Sequence, residues 1–199
     1  MMKEQSKNRR SDILRAAQKL MSTQGLNGVT TRQISKAVGC SEGALYVHFK
    51  GRLELLLAML EECLPDAQRS LRVLEESCGH GFPEKNLVMA VDGIYRFHKR
   101  AVPLLAGLFA EPKLLAAYRK SMISRKKGPH IPLGAIRNYI AGEQKLRRID
   151  EHIDANLAAS MLLSSCFLRA FLEHFFHRPV RPTWDKFAIQ LVAAIVRRP

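Results

Sequence analysis

Thr30, Thr31, Arg32, Gln33, Ser41, Tyr46, His48, Lys50 and Arg52 place hydrogen-bonding and cationic side chains within one stretch of 23 residues, TTRQISKAVGCSEGALYVHFKGR. Groups of this kind suit a polyanion with readable edges. Arginine and lysine neutralise phosphates, while hydroxyl, amide, phenol and imidazole groups exchange hydrogen bonds with bases. Glu42, Gly43 and Ala44, with Tyr46, Val47 and His48, are left to approach a groove. Glu42 either accepts from a cytosine amino group or is held away from the backbone.

Other chemistry finds less support. His174 and His177 have the i, i+3 spacing of helical metal ligands, but no carboxylate or thiol completes a set. No bound metal or cofactor is expected. The four cysteines, Cys40, Cys63, Cys78 and Cys166, form no C-x-x-C pair, which argues against a zinc module or disulfide framework and fits a reduced cytoplasm. No nucleophile elbow, zincin motif, phosphate-binding loop or dinucleotide fingerprint occurs, so enzymatic activity is not expected.

The elements that position these groups follow from local rules. Thr30 and Gln33 have the spacing of a capping box, which predicts a helix from about Thr31 with Ile34, Ala37 and Val38 on its buried face. Gly39 supplies a left-handed corner, Cys40 a small plug, and Ser41 a cap for a second helix, Glu42 to about His48, that buries Leu45 and Phe49. Two short helices around a glycine corner make a helix-turn-helix, whose second helix enters the major groove. An amphipathic helix over Asn8–Gln24, with Ile13, Ala17, Leu20 and Met21 inward and Gly25 as its stop, completes a three-helix head. A fourth helix opens at Arg52, where Lys50, Arg52 and free backbone N–H groups suit a phosphate.

From about Ile13 to Leu57 the sequence resembles the TetR (tetracycline repressor) family of bacterial transcription regulators, through ILRAAQKLM, Gly25 and TTRQISKAVGCSEGALYVHFKGRLELL. The resemblance implies DNA contacts from Thr30, Thr31, Arg32, Ser41, Tyr46, His48 and Arg52. It also implies a homodimer through the last two long helices. Arg52 stands where the family usually has lysine, Ser35 where it usually has alanine, and Glu42 where a neutral or basic residue is frequent.

Beyond the head, periodicity predicts an all-α chain of nine to ten helices. The division expected is a DNA-binding domain over 1–51 and an effector-binding and dimerisation domain over 52–199, joined by a helix over 52–77 that Pro65 bends or breaks. SCGHGFP, residues 77–83, is loop by composition. Helices are then expected at Glu84–Ala101, Pro103–Ala110, Pro112–Arg125, Pro132–Lys145, Glu151–His177 and Thr183–Arg197. In 151–177, Ala155, Ala158, Ala159, Ser160, Ser164 and Ser165 keep the helix thin, with bulk from Leu162, Leu163, Phe167 and Phe171. In 183–197, Trp184, Phe187, Ala188, Leu191, Val192, Ile195 and Val196 form one stripe. Periodicity allows these two helices to be either a four-helix interface or an internal core. The apolar run Leu157–Leu168 is short for a bilayer, so no membrane span is expected.

Net charge is +14. Residues 1–55 carry 10 basic and 4 acidic side chains, which suits a phosphate-binding head; residues 96–149 carry 13 and 2. That middle block reads as a solvated basic surface, as a mouth for an anionic effector such as an acyl-CoA, or as a further nucleic-acid contact. Met89, Phe97, His98, Phe109, Tyr118, Met122, Tyr139, Phe167 and Phe171, together with Tyr95, are candidates to line a pocket for an apolar or amphipathic small molecule. The expected function is a cytoplasmic, ligand-responsive regulator bound to a palindromic operator in double-stranded DNA, most simply a repressor. An activator of the same fold, or a helical carrier or enzyme with a basic head, is the alternative.

Overall fold

The computed structural model describes residues 2–25 and 28–196, which form ten helices and no strand. In chain order these are α1 (Met2–Gln24), α2 (Thr31–Val38), α3 (Glu42–His48), α4 (Arg52–Cys63), α5 (Pro65–Glu76), α6 (Pro83–Phe109), α7 (Pro112–Ser124), α8 (His130–Lys145), α9 (Ala155–Phe175) and α10 (Trp184–Ile195). They gather into two compact units, Met1–Glu62 with Pro103–Met122, and Cys63–Val102 with Ile123–Pro199. These units cut the chain differently from a boundary at 51/52, because nearly all of α4 and the stretch Pro103–Met122 group with the head.

The core of the first unit is almost entirely apolar. Ile13, Leu14, Ala17 and Met21 of α1, Ile34 of α2, and Leu45 and Phe49 around α3 are buried; Leu20 is only half-buried. Ala37, expected inward, is exposed, and Ser35 takes the buried place with its hydroxyl donating to the Arg32 carbonyl at 3.0 Å. An eight-residue helix has room for a narrow buried face, and here it is centred on Ile34 and Ser35. In α4, Leu55 to Leu60 are all buried, so the middle of this helix is enclosed, while Glu54, Glu61 and Glu62 near its ends are exposed.

Prolines act differently at two places. Pro65 ends the expected 52–77 helix outright: α4 stops at Cys63 and Pro65 opens α5, where its missing N–H is harmless. Arg100 closes the end of α4, its Nη2 donating to the Cys63 carbonyl at 2.8 Å and to Asp66 at 3.1 Å. Pro103, expected to separate two helices, instead lies inside the continuous α6. A proline there cannot donate to the carbonyl four residues earlier, that of Lys99. The ring of His174 lies 2.6 Å from that oxygen through Nε2. A carbonyl only accepts, so Nε2 carries the proton and replaces the bond that proline removes.

The second unit has its own core, with Leu74, Leu87, Val91, Ile94, Ile136, Ile140, Leu162 and Val192 among its buried residues. The stripe of α10 is used internally: Ala188, Val192 and Val196 are buried and Trp184, Leu191 and Ile195 pack against the same cluster. Ala158 and Ala159 of α9 are buried too, where they allow close packing on α8, whereas Ser160 and Ser164 face outward. The helix begins at Ala155 rather than Glu151 because the Asp154 carboxylate accepts from the amides of Asn156 (2.8 Å) and Leu157 (3.1 Å). At 21 residues α9 is long and apolar enough to cross a membrane by length and composition, which the shorter run Leu157–Leu168 did not suggest. Its inner face is nevertheless built into this core, and Arg169 and Glu173 lie within its span.

Candidate nucleic-acid interface

The corner of the helix pair is held by backbone geometry. Gly39 has φ +71°, and the amides of Gly39 and Cys40 donate to the carbonyls of Lys36 and Ser35 at 3.2 and 2.9 Å, closing α2. The capping box forms as spaced. The Gln33 amide donates to Thr30 Oγ1 at 3.2 Å, and the Thr30 amide donates to Gln33 Oε1 at 2.8 Å. Ser41 Oγ accepts from the Ala44 amide at 3.1 Å and starts α3. Thr30, Gln33 and Ser41 therefore act first as caps, which fixes the direction of both helices.

The side chains left outward are those the sequence singles out. Arg32, Glu42, Gly43, Tyr46 and Lys50 are exposed, Thr31, Ala44 and His48 are half-buried, and Val47 is 82 % exposed. Burial of Leu45 and Phe49 turns Tyr46 and Val47 away from the core, which gives α3 a free reading face. Arg10 packs over the Phe49 ring at 4.8 Å.

The start of α4 differs from the expectation of free donors. Glu54 Oε2 accepts from the Lys50 amide at 2.7 Å. Arg52 donates from Nη2 to Glu111 Oε1 at 2.7 Å and from Nη1 to Glu111 Oε2 at 3.3 Å, a forked pair within the first unit. Nothing local in the sequence announces Glu111, which is 59 residues away.

The residues proposed to line a pocket are divided between the two units. Phe109, Tyr118 and Met122 belong to the first unit; Met89, Tyr95, Phe97, His98, Tyr139, Phe167 and Phe171 belong to the second. Met89, Phe109, Phe167 and Phe171 are exposed, while Tyr139 is buried and accepts from Asn86 Nδ2 at 2.9 Å. The His98 ring meets those of Phe97 and Phe167 edge to face, with centroids 5.1 and 5.5 Å apart. Its Nδ1 is buried without a hydrogen bond, and burial pushes its pKa down to about 4, so the ring is neutral.

A polar network in the second unit also went unseen in the sequence. Tyr95 donates to Glu173 Oε2 at 2.6 Å, Arg169 Nε donates to Glu173 Oε1 at 3.1 Å, and Lys99 lies 3.2 Å from the same carboxylate. Burial alone raises the pKa of Glu173, but the hydrogen bonds from Tyr95, Arg169 and Lys99 outweigh it and lower the pKa. Arg169 also donates to the carbonyls of Val180 and Pro182 and so ties down the loop before α10.

Residues 13–59 match the model of the family described as bacterial regulatory proteins, tetR family. The head is thus similar to the amino-terminal domain of TetR-family regulators. Nucleoid occlusion factor SlmA of Vibrio atlanticus is 44 % identical over 73 residues, and the transcriptional repressor AcnR of Corynebacterium diphtheriae 36 % over 69. The first alignment covers 35 % of this chain and 36 % of the relative; the second covers 35 % of each. The chain thus matches about a third of the length of these relatives. The fold likeness runs further: FadR of Bacillus subtilis, solved with stearoyl-CoA, superposes with a TM-score of 0.68 at 14 % identity, over 95 % of this chain and 98 % of FadR.

Proposed function

We propose that the protein is a ligand-responsive, sequence-specific DNA-binding transcription regulator, acting as a homodimeric repressor that a small molecule releases from a palindromic operator. The observation that carries this reading is the glycine-cornered helix pair with the α3 face at Tyr46 and Val47 outward. In a major groove that face meets base edges, with Arg32 and Lys50 beside it for the backbone.

Dimerisation is supported by the outer face of α9. Leu157, Met161, Ser164, Leu168, Phe171 and Phe175 are all exposed and follow one another at spacings of four and three, the repeat of a helix-packing seam. Such a stripe on one chain suits a self-complementary two-fold contact, which would present two heads to two half-sites. The seam differs from the pair of stripes expected, since that of α10 is taken by the core.

An effector site around Phe97, His98 and Phe167 is supported by apolar rings beside an unsatisfied nitrogen. The likeness to a regulator solved with stearoyl-CoA makes acyl-CoA esters the first compounds to test. Footprinting on the DNA upstream of the chain's own coding sequence tests the function: a protected near-palindrome, lost on adding an effector, is expected. Uniform coverage without a footprint contradicts it. His48→Ala should change which operator bases are preferred.

A further inference from the structure

Of the two cations expected to grip phosphate at the start of α4, Arg52 faces an internal anion that comes from a distant part of the chain, whereas at Lys50 it is the backbone amide that donates to Glu54. Glu111 lies between α6 and α7, its amide donating to the Leu108 carbonyl at 3.1 Å and its carbonyl accepting from the Leu115 amide at 2.9 Å. The backbone therefore holds this carboxylate in a fixed place. It is one of two acidic residues among 13 basic ones in 96–149, yet it reaches Arg52. Both side chains are partly shielded, 37 % and 28 % exposed, which strengthens the pair beyond an open surface contact. A carboxylate and a phosphate ask for the same two parallel N–H donors of a guanidinium, so the forked end of Arg52 holds one or the other.

We propose that Glu111 competes with DNA phosphate for Arg52, and so lowers affinity for all duplexes while leaving base preference to α3. The inference rests on the DNA-binding reading above. It makes Glu111 a positioning residue: it touches no DNA and acts through Arg52.

The test is a fluorescence-anisotropy titration of the full-length protein against its upstream operator duplex, repeated over a range of KCl. Wild type, Glu111→Gln, Arg52→Ala and the double variant are compared. Removing the competing charge is expected to tighten binding roughly 2- to 10-fold. It should also steepen the log–log salt dependence by about one unit, the signature of one more phosphate neutralised. In the Arg52→Ala background the same change should do neither. Unchanged affinity and slope for Glu111→Gln, or an equal gain with and without Arg52, overturns the proposal and makes the pair a structural tie only. Glu111→Asp, too short for the fork, gives a second arm if the first variant fails to fold; a smaller gain is expected, and none overturns the proposal. Wild type that binds no duplex removes the DNA reading itself, a result distinct from wild-type binding without a Glu111 effect.

Discussion

At the scale of single residues, the features legible in the sequence are those whose partners are near neighbours. Thr30 and Gln33 are three apart, Ser41 and Ala44 are three apart, and Gly39 must turn a corner between two short helices; each takes the geometry its spacing requires. Arg52 with Glu111, and Tyr95 with Glu173, join residues 59 and 78 apart, and no local pattern marks them. Gly39 has φ +71° with open space where a Cβ would stand, so Gly39→Ala meets backbone strain without a clash. It should cost about 1 kcal/mol in thermal unfolding. An unchanged melting temperature would show the corner to be relaxed. His98 tests burial through pH. Its folded pKa, about 4, lies below its ordinary value of 6.5, so the unfolded chain binds the proton more readily. The neutral ring carries no penalty above pH 6.5, and stability falls as pH drops from 6.5 toward 4, by roughly 3 kcal/mol for this group. His98→Asn should flatten that part of the stability profile, and an unaltered slope would place the titration elsewhere.

At the scale of elements, helix existence was readable and helix boundaries were less so. Composition marks prolines but not what surrounds them. Pro65 and Pro103 look alike in sequence, yet one starts a helix and the other sits within one, because His174 answers the carbonyl that Pro103 leaves free. His174→Ala should therefore loosen the middle of α6, lowering stability by about 1–3 kcal/mol, the cost of a carbonyl deprived of its donor. Hydrogen exchange at the α6 amides after Lys99 would report it, and wild-type protection in the variant would contradict it. The α5–α6 contact is tighter still. A Cβ on Gly93 would lie 2.1 Å from Ser70 Oγ and 2.9 Å from the Asp66 carbonyl oxygen. Since the backbone oxygen cannot rotate away, Gly93→Ala should destabilise by about 1–3 kcal/mol even with Ser70→Gly. Full recovery in that double variant would show the clash to be with the side chain alone.

At the scale of the whole molecule, charge and apolar periodicity indicated a basic head and a helical remainder, and both stand. What sequence could not assign is which apolar stripe is inside. Those of α9 and α10 are equally regular, and only packing shows that α10 fills the core while Leu157, Met161, Leu168, Phe171 and Phe175 stay outside. The basic block 96–149 is likewise partly consumed: Arg96, Lys99, Arg100 and Arg148 pair with Asp92, Glu173, Asp66 and Glu143. Leu168→Lys on the exposed seam should yield a monomer in sedimentation and weaken operator binding sharply, with little change in melting beyond the lost association. A dimer that persists would move the interface elsewhere. The central claim, that the helix pair reads duplex sequence, is tested most directly by the ratio of dissociation constants for the upstream palindrome and a scrambled duplex at physiological salt. The account predicts a preference of at least about 10³-fold, and equal affinity for the two duplexes would contradict it.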